Sequence, residues 1–162
     1  MKANSRTVII YSSKYGSTET YATWIRDELE CDIIKYSEAN KELINNYEII
    51  ILGGYLCLRN FKDIDIIKEN LDKFKNKKII IFCTGALKDG NKILDDILKK
   101  ELDNFNNIKV FYLRGAYNYQ NLYITDKILI KGFISVLKRK NYDELDDVSK
   151  EILYFNDKKI TG

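Results

Sequence analysis

Along most of this chain, runs of apolar residues alternate with amphipathic segments. The runs predict five strands, because a short apolar run between turn residues is typical of a strand buried on both faces. The predicted strands are Thr7–Tyr11, Asp32–Tyr36, Tyr47–Leu52, Lys78–Cys83 and Lys109–Leu113. Strands that alternate with helices are typical of βαβ units around a parallel sheet, so the pattern predicts an α/β fold.

The segments between the runs repeat apolar residues at three- and four-residue steps, as amphipathic helices do. The predicted helices are Ser17–Leu29, a segment from Ile64 to Phe74, a segment from Ile93 to Leu102, and Thr125 to about Lys140, with a brief helix in Ser37–Asn46. Right-handed crossovers between parallel strands give a doubly wound sheet, and five strands favour the order 2-1-3-4-5. With 162 residues, the chain is expected to form a single domain over residues 1–162.

The predicted carboxyl ends of strands 1, 3 and 4 are rich in glycine or hydroxyl side chains. These ends carry Ser12 to Thr18, Gly53 to Asn60, and Thr84 to Lys88. Ligands of doubly wound sheets bind beyond the carboxyl ends of the strands, at the switch point between strands 1 and 3. Because these residues follow the carboxyl ends of the strands, they predict a ligand site at that edge of the sheet.

The segment after strand 1 has the features of an anion-binding loop. It reads Ser12, Ser13, Lys14, Tyr15, Gly16, Ser17, Thr18 and leads into a helix. Free N–H groups and a partial positive charge at the helix start, together with hydroxyls and a glycine, suit a phosphate. Neither G-x-x-x-x-G-K-[ST] nor G-x-G-x-x-G occurs, which argues against a nucleoside triphosphatase or a dinucleotide site. An ordinary strand-to-helix turn capped by Ser17 is the alternative interpretation.

Composition narrows the possible chemistry. The chain has no His, which excludes imidazole catalysis and most catalytic zinc sites. Its three Cys are widely spaced and predict neither a disulfide framework nor a metal site. With no signal peptide and no apolar stretch of about 20 residues, a cytoplasmic location is expected. Basic residues are scattered among acidic ones, which argues against nucleic acid as a partner.

The spacing Ser13-Lys14-Tyr15-Gly16-Ser17-Thr18 resembles the flavodoxin phosphate loop [TS]-x-[TS]-G-x-T, with Tyr15 where flavodoxins usually have Thr or Ser. With the predicted strand order, the chain is similar to flavodoxin-domain proteins over nearly its whole length. The resemblance implies a flavodoxin-like three-layer sandwich that binds FMN noncovalently. It implies that loop 12–18 holds the FMN phosphate through its backbone N–H groups and through the hydroxyls of Ser13, Ser17 and Thr18.

The same resemblance assigns the other two segments to the flavin ring. The residues expected to enclose the isoalloxazine are Gly53, Gly54, Tyr55, Leu56 and Cys57 from the second segment, and Thr84, Gly85, Ala86 and Leu87 from the third. Tyr55 or Leu56, and Leu87, are the expected stacking or covering groups. A backbone carbonyl of the second segment is the expected acceptor for flavin N5–H. No catalytic side chain is assigned.

A narrower resemblance is to the flavodoxin-like protoporphyrinogen dehydrogenases and their uncharacterised bacterial relatives. It rests on Tyr11 to Glu19 and on Phe111 to Tyr117. It implies oxidation of a reduced porphyrin precursor, with electrons passed to a quinone. Lys88 and Arg114 are candidates to attract a carboxylate-bearing substrate, and Tyr117 and Tyr119 to stack on a planar partner. The alternatives are solvated cations and half-buried packing groups.

The last predicted helix leaves two interpretations open. Its apolar band, Ile128, Leu129, Ile130, Phe133, Ile134, Val136 and Leu137, is wide for one face and is bordered by basic residues. Such a helix suits an anionic membrane surface, where a quinone is found, and implies peripheral attachment. Alternatively, the helix packs on the sheet with its basic ends solvated.

A non-catalytic function is the rival for the whole chain. Tyr15 and the unusual Tyr55-Leu56-Cys57-Leu58 sequence could occlude the site, leaving a degenerate flavodoxin-fold binding module without redox activity. The colour of the purified protein distinguishes the two, because bound flavin is yellow.

Overall fold

A computed structural model of the chain describes residues 6–58, 60–62, 64–74, 76–88, 90–101, 108–116 and 119–160. Its strands are β1 (Thr7–Tyr11), β2 (Asp32–Lys35), β3 (Ile49–Cys57), β4 (Asn60–Phe61), β5 (Lys78–Gly85) and β6 (Lys109–Arg114). Its α-helices are α1 (Ser17–Leu29), α2 (Lys41–Asn45), α3 (Ile64–Glu69), α4 (Leu71–Phe74), α5 (Gly90–Glu101), α6 (Ile124–Lys138) and α7 (Asp147–Ile160). Three short 3₁₀ turns connect them within the described part of the chain.

The long strands form a parallel sheet in the order β2-β1-β3-β5-β6. Because β5 and β6 are the fourth and fifth predicted strands, this order confirms the predicted 2-1-3-4-5 arrangement and the flavodoxin-like α/β fold. The short strand β4 lies off this path and pairs antiparallel with the end of β3. It was not predicted from the sequence.

The chain divides into two compact units. The first comprises residues 1–86 and 90–116, with the sheet and helices α1 to α5. The second comprises residues 87–89 and 117–162, with α6 and α7. The single domain over residues 1–162 stays a prediction.

Alternation of side chains along the strands gives the sheet two buried faces. On β1, Val8 and Ile10 belong to one apolar cluster, which includes side chains from α2, α4 and α5. Ile9 and Tyr11 belong to the other, which includes Ala22 of α1. All four β1 side chains are at most 6% exposed. The sheet is therefore covered on both faces, as the parallel arrangement requires.

In the second unit, α6 and α7 are in contact. Helix α6 buries Ile130, Ile134 and Leu137, which are spaced four and three residues apart. The α7 helix, which was not predicted, begins after Asp146, whose side chain accepts a 2.8 Å hydrogen bond from the Ser149 N–H. That bond is the usual N-capping arrangement.

Several bounds differ from the predicted ones. The segment from Ile64 to Phe74, predicted as one helix, forms two short helices separated at Asn70. Strand β3 continues five residues beyond the predicted end at Leu52. The α1 helix has the predicted bounds, and α6 lies within two residues of them. Leu102, predicted to end a helix, lies outside the described residues.

Candidate functional site

The register of the sheet brings the ends of β1, β3 and β5 together. Tyr11 pairs with Gly53, and Gly53 pairs with Phe82. The Ser12 N–H donates a 3.0 Å hydrogen bond to the Gly53 carbonyl just beyond the end of β1. The segments after strands 1 and 3 therefore start side by side, and β5 carries the third segment on the same edge.

Loop 12–18 turns at Gly16, whose φ of +92° lies in the left-handed region. The Gly16 N–H donates to Ser13 Oγ at 3.1 Å, which fixes the turn. No heavy atom lies within 4 Å of a Cβ built on Gly16, so the space beside it is open. Glycine suits this position because of its backbone conformation and not because of crowding.

The start of α1 presents unbonded amides to the loop. The first intrahelical bond runs from the Thr20 N–H to the Gly16 carbonyl at 2.9 Å. The N–H groups of Ser17, Thr18 and Glu19 precede it and have no carbonyl acceptor within the helix. They form the positive end of the helix dipole, and loop 12–18 contains Lys14 and no acidic residue. This arrangement favours an anion.

The predicted phosphate-binding hydroxyls fall into two groups. Ser13 Oγ accepts from the Gly16 N–H, and Ser17 Oγ accepts from the Ala116 N–H at 3.1 Å. Both hydroxyls keep an O–H that can be donated to an anion. Thr18, in contrast, is 1% exposed, and its Oγ1 lies 2.8 Å from the Oγ1 of Thr84. A role for the Thr18 hydroxyl in holding phosphate stays a prediction.

Thr18 and Thr84 join the three segments of the edge. Both hydroxyls also lie near the Gly54 carbonyl oxygen, at 3.3 Å from Thr18 and 3.4 Å from Thr84. Each segment thus contributes one oxygen to a buried triangle, in which the two hydroxyl protons form two hydrogen bonds at a time. Because an unsatisfied buried polar group is costly, this triangle fixes the spacing of the segments. The triangle was not predicted from the sequence, although hydroxyl residues that follow the strand ends could have indicated it.

The second segment is a strand and not the predicted loop. Gly53 and Gly54 are buried within β3, and the side chains of Tyr55, Leu56 and Cys57 are half-buried. The strand extends because Tyr55 pairs with Thr84 of β5 and Cys57 pairs with Asn60 of β4. The connection to β4 passes through Leu58, whose φ is +58°.

Two glycines, Gly85 in the third segment and Gly90 at the start of α5, pack against the ring of Tyr112. A Cβ on Gly85 would lie 2.6 Å from Tyr112 Oη, and a Cβ on Gly90 would lie 2.1 Å from Tyr112 Cζ. The Gly115 N–H also donates to the Gly85 carbonyl at 2.8 Å. Packing on Tyr112 therefore accounts for these glycines independently of any ligand. Leu87, predicted to cover the flavin, belongs to the second unit and is 8% exposed.

The end of β6 also reaches this edge. Tyr21 of α1 donates from its hydroxyl to the Arg114 carbonyl at 3.0 Å, and Ala116 bonds to Ser17 as described above. Residues 114–116 thus lie against the start of α1. Tyr117 and the side chain of Tyr119 lie outside the described residues.

Two tyrosines in the first unit have strongly raised pKa values. The Tyr11 hydroxyl donates to Glu19 Oε1 at 2.8 Å, and the Tyr47 hydroxyl donates to Asp32 Oδ2 at 2.7 Å. Burial, and then the bonded carboxylate, raise the pKa of each phenol to about 12. Both phenols are therefore protonated throughout the neutral range.

These pKa values predict a late phase in an alkaline titration followed by phenolate absorbance. The folded-state pKa exceeds the ordinary value of 10.0, so the extra stability is complete below pH 10 and is lost as the pH rises towards 12. The Tyr11→Phe and Tyr47→Phe variants should each remove one late-ionising group. The double variant should lose less stability than the parent between pH 10 and 12. A parent protein whose tyrosines all ionise in one early phase, while it is still folded, would contradict the assignment.

Comparison with known proteins agrees with this architecture. A flavoprotein from Lactobacillus acidophilus, solved in complex with FMN, is 19% identical, with a TM-score of 0.51 over 69% of this chain and 94% of that chain. A protein from Bacteroides eggerthii described as a flavoprotein is 17% identical, with a TM-score of 0.53 over 80% of this chain and 98% of that chain. At these identities the similarity shows the fold alone.

Matching by sequence gives the family. A search of curated proteins finds no significant match. A family model described as a flavodoxin domain matches residues 8–143, which include all three segments of the edge. Because this match covers most of the sequence, the chain belongs to the flavodoxin domain family.

Proposed function

We propose that this protein binds FMN noncovalently and serves as a flavin-dependent oxidoreductase or electron carrier. The observation that carries the proposal is the geometry of loop 12–18, where the amides of Ser17, Thr18 and Glu19 precede the first helical bond beside open space at Gly16. One structurally similar protein, the flavoprotein from Lactobacillus acidophilus, was solved in complex with FMN. Membership of the flavodoxin domain family supports the same ligand.

The donor set fits the phosphate of FMN. Backbone amides at the start of α1 and the hydroxyls of Ser13 and Ser17 would donate to the phosphate oxygens, and Lys14 would add a positive charge. Glu19, the nearest acidic residue in the sequence, is turned to other partners, since it accepts from Tyr11 and lies 3.8 Å from Lys35 Nζ. Its negative charge is therefore partly neutralised by a lysine.

The ring of the flavin would lie against the second and third segments. Residues Gly53 to Cys57 and Thr84 to Ala86 are the proposed enclosing residues, and half-buried Tyr55 and Leu56 are candidates to cover the ring. The Gly53 carbonyl accepts from the Ser12 N–H, the Gly54 carbonyl from a threonine hydroxyl, and the Tyr55 carbonyl from the Lys62 N–H. A backbone carbonyl of the second segment stays the proposed acceptor for flavin N5–H, because a carbonyl oxygen can accept two hydrogen bonds. The hydrogen-bonded triangle of Thr18, Thr84 and Gly54 would position these segments.

FMN, when bound, supplies the redox chemistry itself. The chain contributes binding, orientation and exclusion of water, and it contains no histidine to move a proton. Tyr11 lies next to the loop, but burial and its bond to Glu19 raise the pKa of its phenol to about 12. It is therefore protonated at neutral pH and does not act as a base. Protons would be exchanged with solvent or with the substrate.

The specific form of the proposal is a dehydrogenase of the protoporphyrinogen type. In this form the donor is a reduced porphyrin precursor and the acceptor is a quinone. Support comes from the resemblance of Tyr11 to Glu19 and of Phe111 to Tyr117 to that group of enzymes. Exposed Arg114 and Lys88 are candidates to attract substrate carboxylates.

Titration with two flavins tests the cofactor. FMN and riboflavin share the ring and differ by the phosphate, so riboflavin is the matched control. We expect FMN to bind at least about 100-fold more tightly, because two or more charge-assisted hydrogen bonds each contribute about 1.5 kcal/mol. Quenching of flavin fluorescence by the apoprotein measures both affinities. Failure to bind FMN would instead support a degenerate binding module.

Turnover tests the reaction separately. The FMN-loaded protein should be reduced anaerobically by protoporphyrinogen and reoxidised by a quinone, with the flavin absorbance as the readout. Reduction by dithionite serves as the control that the bound flavin is accessible. Binding without reduction by protoporphyrinogen would leave an electron carrier with another donor.

A further inference from the structure

One face of α6 carries exposed apolar side chains. Ile124, Ile128 and Val136 lie at multiples of four residues along the helix, and Leu129 lies beside them. Ile124 is 75% exposed, Ile128 is 65% exposed, Val136 is 53% exposed and Leu129 is 49% exposed. We call these four residues the apolar stripe. Residues four or seven apart share a helix face, so Ile124 lies in line with Ile128, and Leu129 lies in line with Val136.

Packing within the second unit does not account for the stripe. The side chains that α6 buries are Ile130, Ile134 and Leu137, which lie on the opposite side of the helix at 100° per residue. A helix that contacts its neighbours through one face normally presents polar residues on the other. Contiguous exposed apolar patches rimmed by polar residues mark interaction surfaces.

The charge along α6 itself is positive, whereas the segment that follows it carries the exposed acidic residues Asp143, Glu144, Asp146 and Asp147. Residues 124–140 contain five basic residues and one acidic residue, Asp126; the basic ones are Lys127, Lys131, Lys138, Arg139 and Lys140. Lys138 pairs with Asp157 at 3.2 Å. The other cations at the ends and flank of the stripe, Lys131, Arg139 and Lys140, are exposed and form no ion pair with a described residue. A partner for this face therefore needs an apolar interior and a negatively charged surface.

We propose that α6 docks this protein on an anionic membrane. The apolar stripe would enter the boundary between headgroups and acyl chains, while Lys131, Arg139 and Lys140 would contact lipid phosphates. Tyr123 precedes the first residue of α6 and is 59% exposed, which suits the membrane interface. No helix in the described part of the chain is long and apolar enough to cross a bilayer.

The same charges argue against a second copy of the chain as the partner. In a two-fold symmetric dimer the same patch of each copy faces its counterpart. With the two-fold axis near the middle of α6, Lys131 of one copy would then approach Lys131 of the other. Anionic lipid provides the opposite charge.

Flotation with lipid vesicles tests this docking. The purified protein is mixed with vesicles of phosphatidylcholine containing 30% phosphatidylglycerol, or of phosphatidylcholine alone, and the floated fraction is measured. We expect binding at least 10-fold stronger to the anionic vesicles, decreasing as salt is raised. The Ile124→Ser/Ile128→Ser variant and the Lys131→Glu/Arg139→Glu/Lys140→Glu variant should each bind at least 10-fold more weakly.

Two control variants test whether vesicle binding is specific to α6. Trp24→Ser removes a 59% exposed apolar side chain from α1, and Lys92→Glu/Lys99→Glu/Lys109→Glu reverses three exposed lysines elsewhere. Both should float as the parent does. Flotation that is absent, independent of lipid charge, or equally weakened by the controls would overturn the proposal. A dimer in light scattering that Ile128→Ser dissociates would also overturn it, because the stripe would then be a protein interface.

This docking does not depend on the proposed cofactor. Flotation is scored on the protein whether or not it carries FMN, and the flavin titration is done without lipid. A protein that binds FMN but does not float would refute the docking alone. A protein that floats but does not bind FMN would refute the cofactor alone.

Discussion

Replacing Gly53 by alanine should lower the free energy of unfolding by about 3 kcal/mol, at the upper end of what overpacking a core usually costs. A Cβ on Gly53 would lie 2.3 Å from Cζ of Phe82 and 2.7 Å from its Cε1. Phe82 is 2% exposed and lies on the neighbouring strand, so its ring has little room to move. Urea denaturation of the Gly53→Ala variant measures the loss.

A double variant identifies the cause. Phe82→Leu removes the ring atoms that the new methyl group would meet, at a cost of its own in core packing. If the clash dominates, Gly53→Ala/Phe82→Leu should be more stable than the sum of the two single effects predicts. Strictly additive effects would show that something other than the Phe82 ring makes alanine unfavourable at position 53.

Gly53 also shows why a glycine at a strand end is ambiguous evidence of a ligand. The sequence assigned Gly53 to the flavin site through the resemblance to flavodoxins. In the structure its missing side chain is already explained by Phe82, as those of Gly85 and Gly90 are by Tyr112. Loss of FMN binding in a Gly53 variant would therefore not separate a lost contact from a damaged fold.

The parts of the fold that local pattern determines were predictable. The strands of the parallel sheet are buried on both faces, so each appears as an apolar run that needs no knowledge of its neighbours. The α1 helix was predicted with its bounds because a strand, a glycine and a hydroxyl residue precede its first turn. Strand order followed from connection rules rather than from any individual residue.

The parts that depend on distant partners were not predictable. The continuation of β3 through Gly53 and Gly54 depends on pairing with β5 and β4, whereas two adjacent glycines alone indicate a loop. The α7 helix was not among the predicted helices. Its signals were the capping Asp146 and the apolar Ile152 and Leu153.

The candidate site also has a part that local sequence predicts and a part that depends on distant residues. A glycine and hydroxyls between a strand and a helix predicted the loop and its anion preference. Which hydroxyls face the ligand was not predictable, because Thr18 finds Thr84, 66 residues away in the chain, as its partner. The loop backbone is therefore the part of the site on which a substitution gives the clearest information.

Replacing Gly16 by alanine should weaken FMN binding at least about 10-fold without affecting riboflavin. Its φ of +92° is unfavourable for any residue with a Cβ, by about 1–2 kcal/mol. Relaxing that strain would turn the loop amides away from the phosphate, and one lost charge-assisted bond costs about 1.5 kcal/mol, which is roughly 10-fold in affinity. Riboflavin has no phosphate and should not respond.

Gly132→Ala is the matched control for this substitution. A Cβ meets no heavy atom within 4 Å at either glycine, but Gly132 lies within α6 and has no positive φ. Alanine there should raise the free energy of unfolding by about 0.5–1 kcal/mol and leave FMN affinity unchanged. If Gly16→Ala bound FMN as tightly as the parent, or lost riboflavin to the same extent, the loop amides would not be holding the phosphate. Because both variants add one methyl group to open space, a general effect of the added methyl group would appear in both.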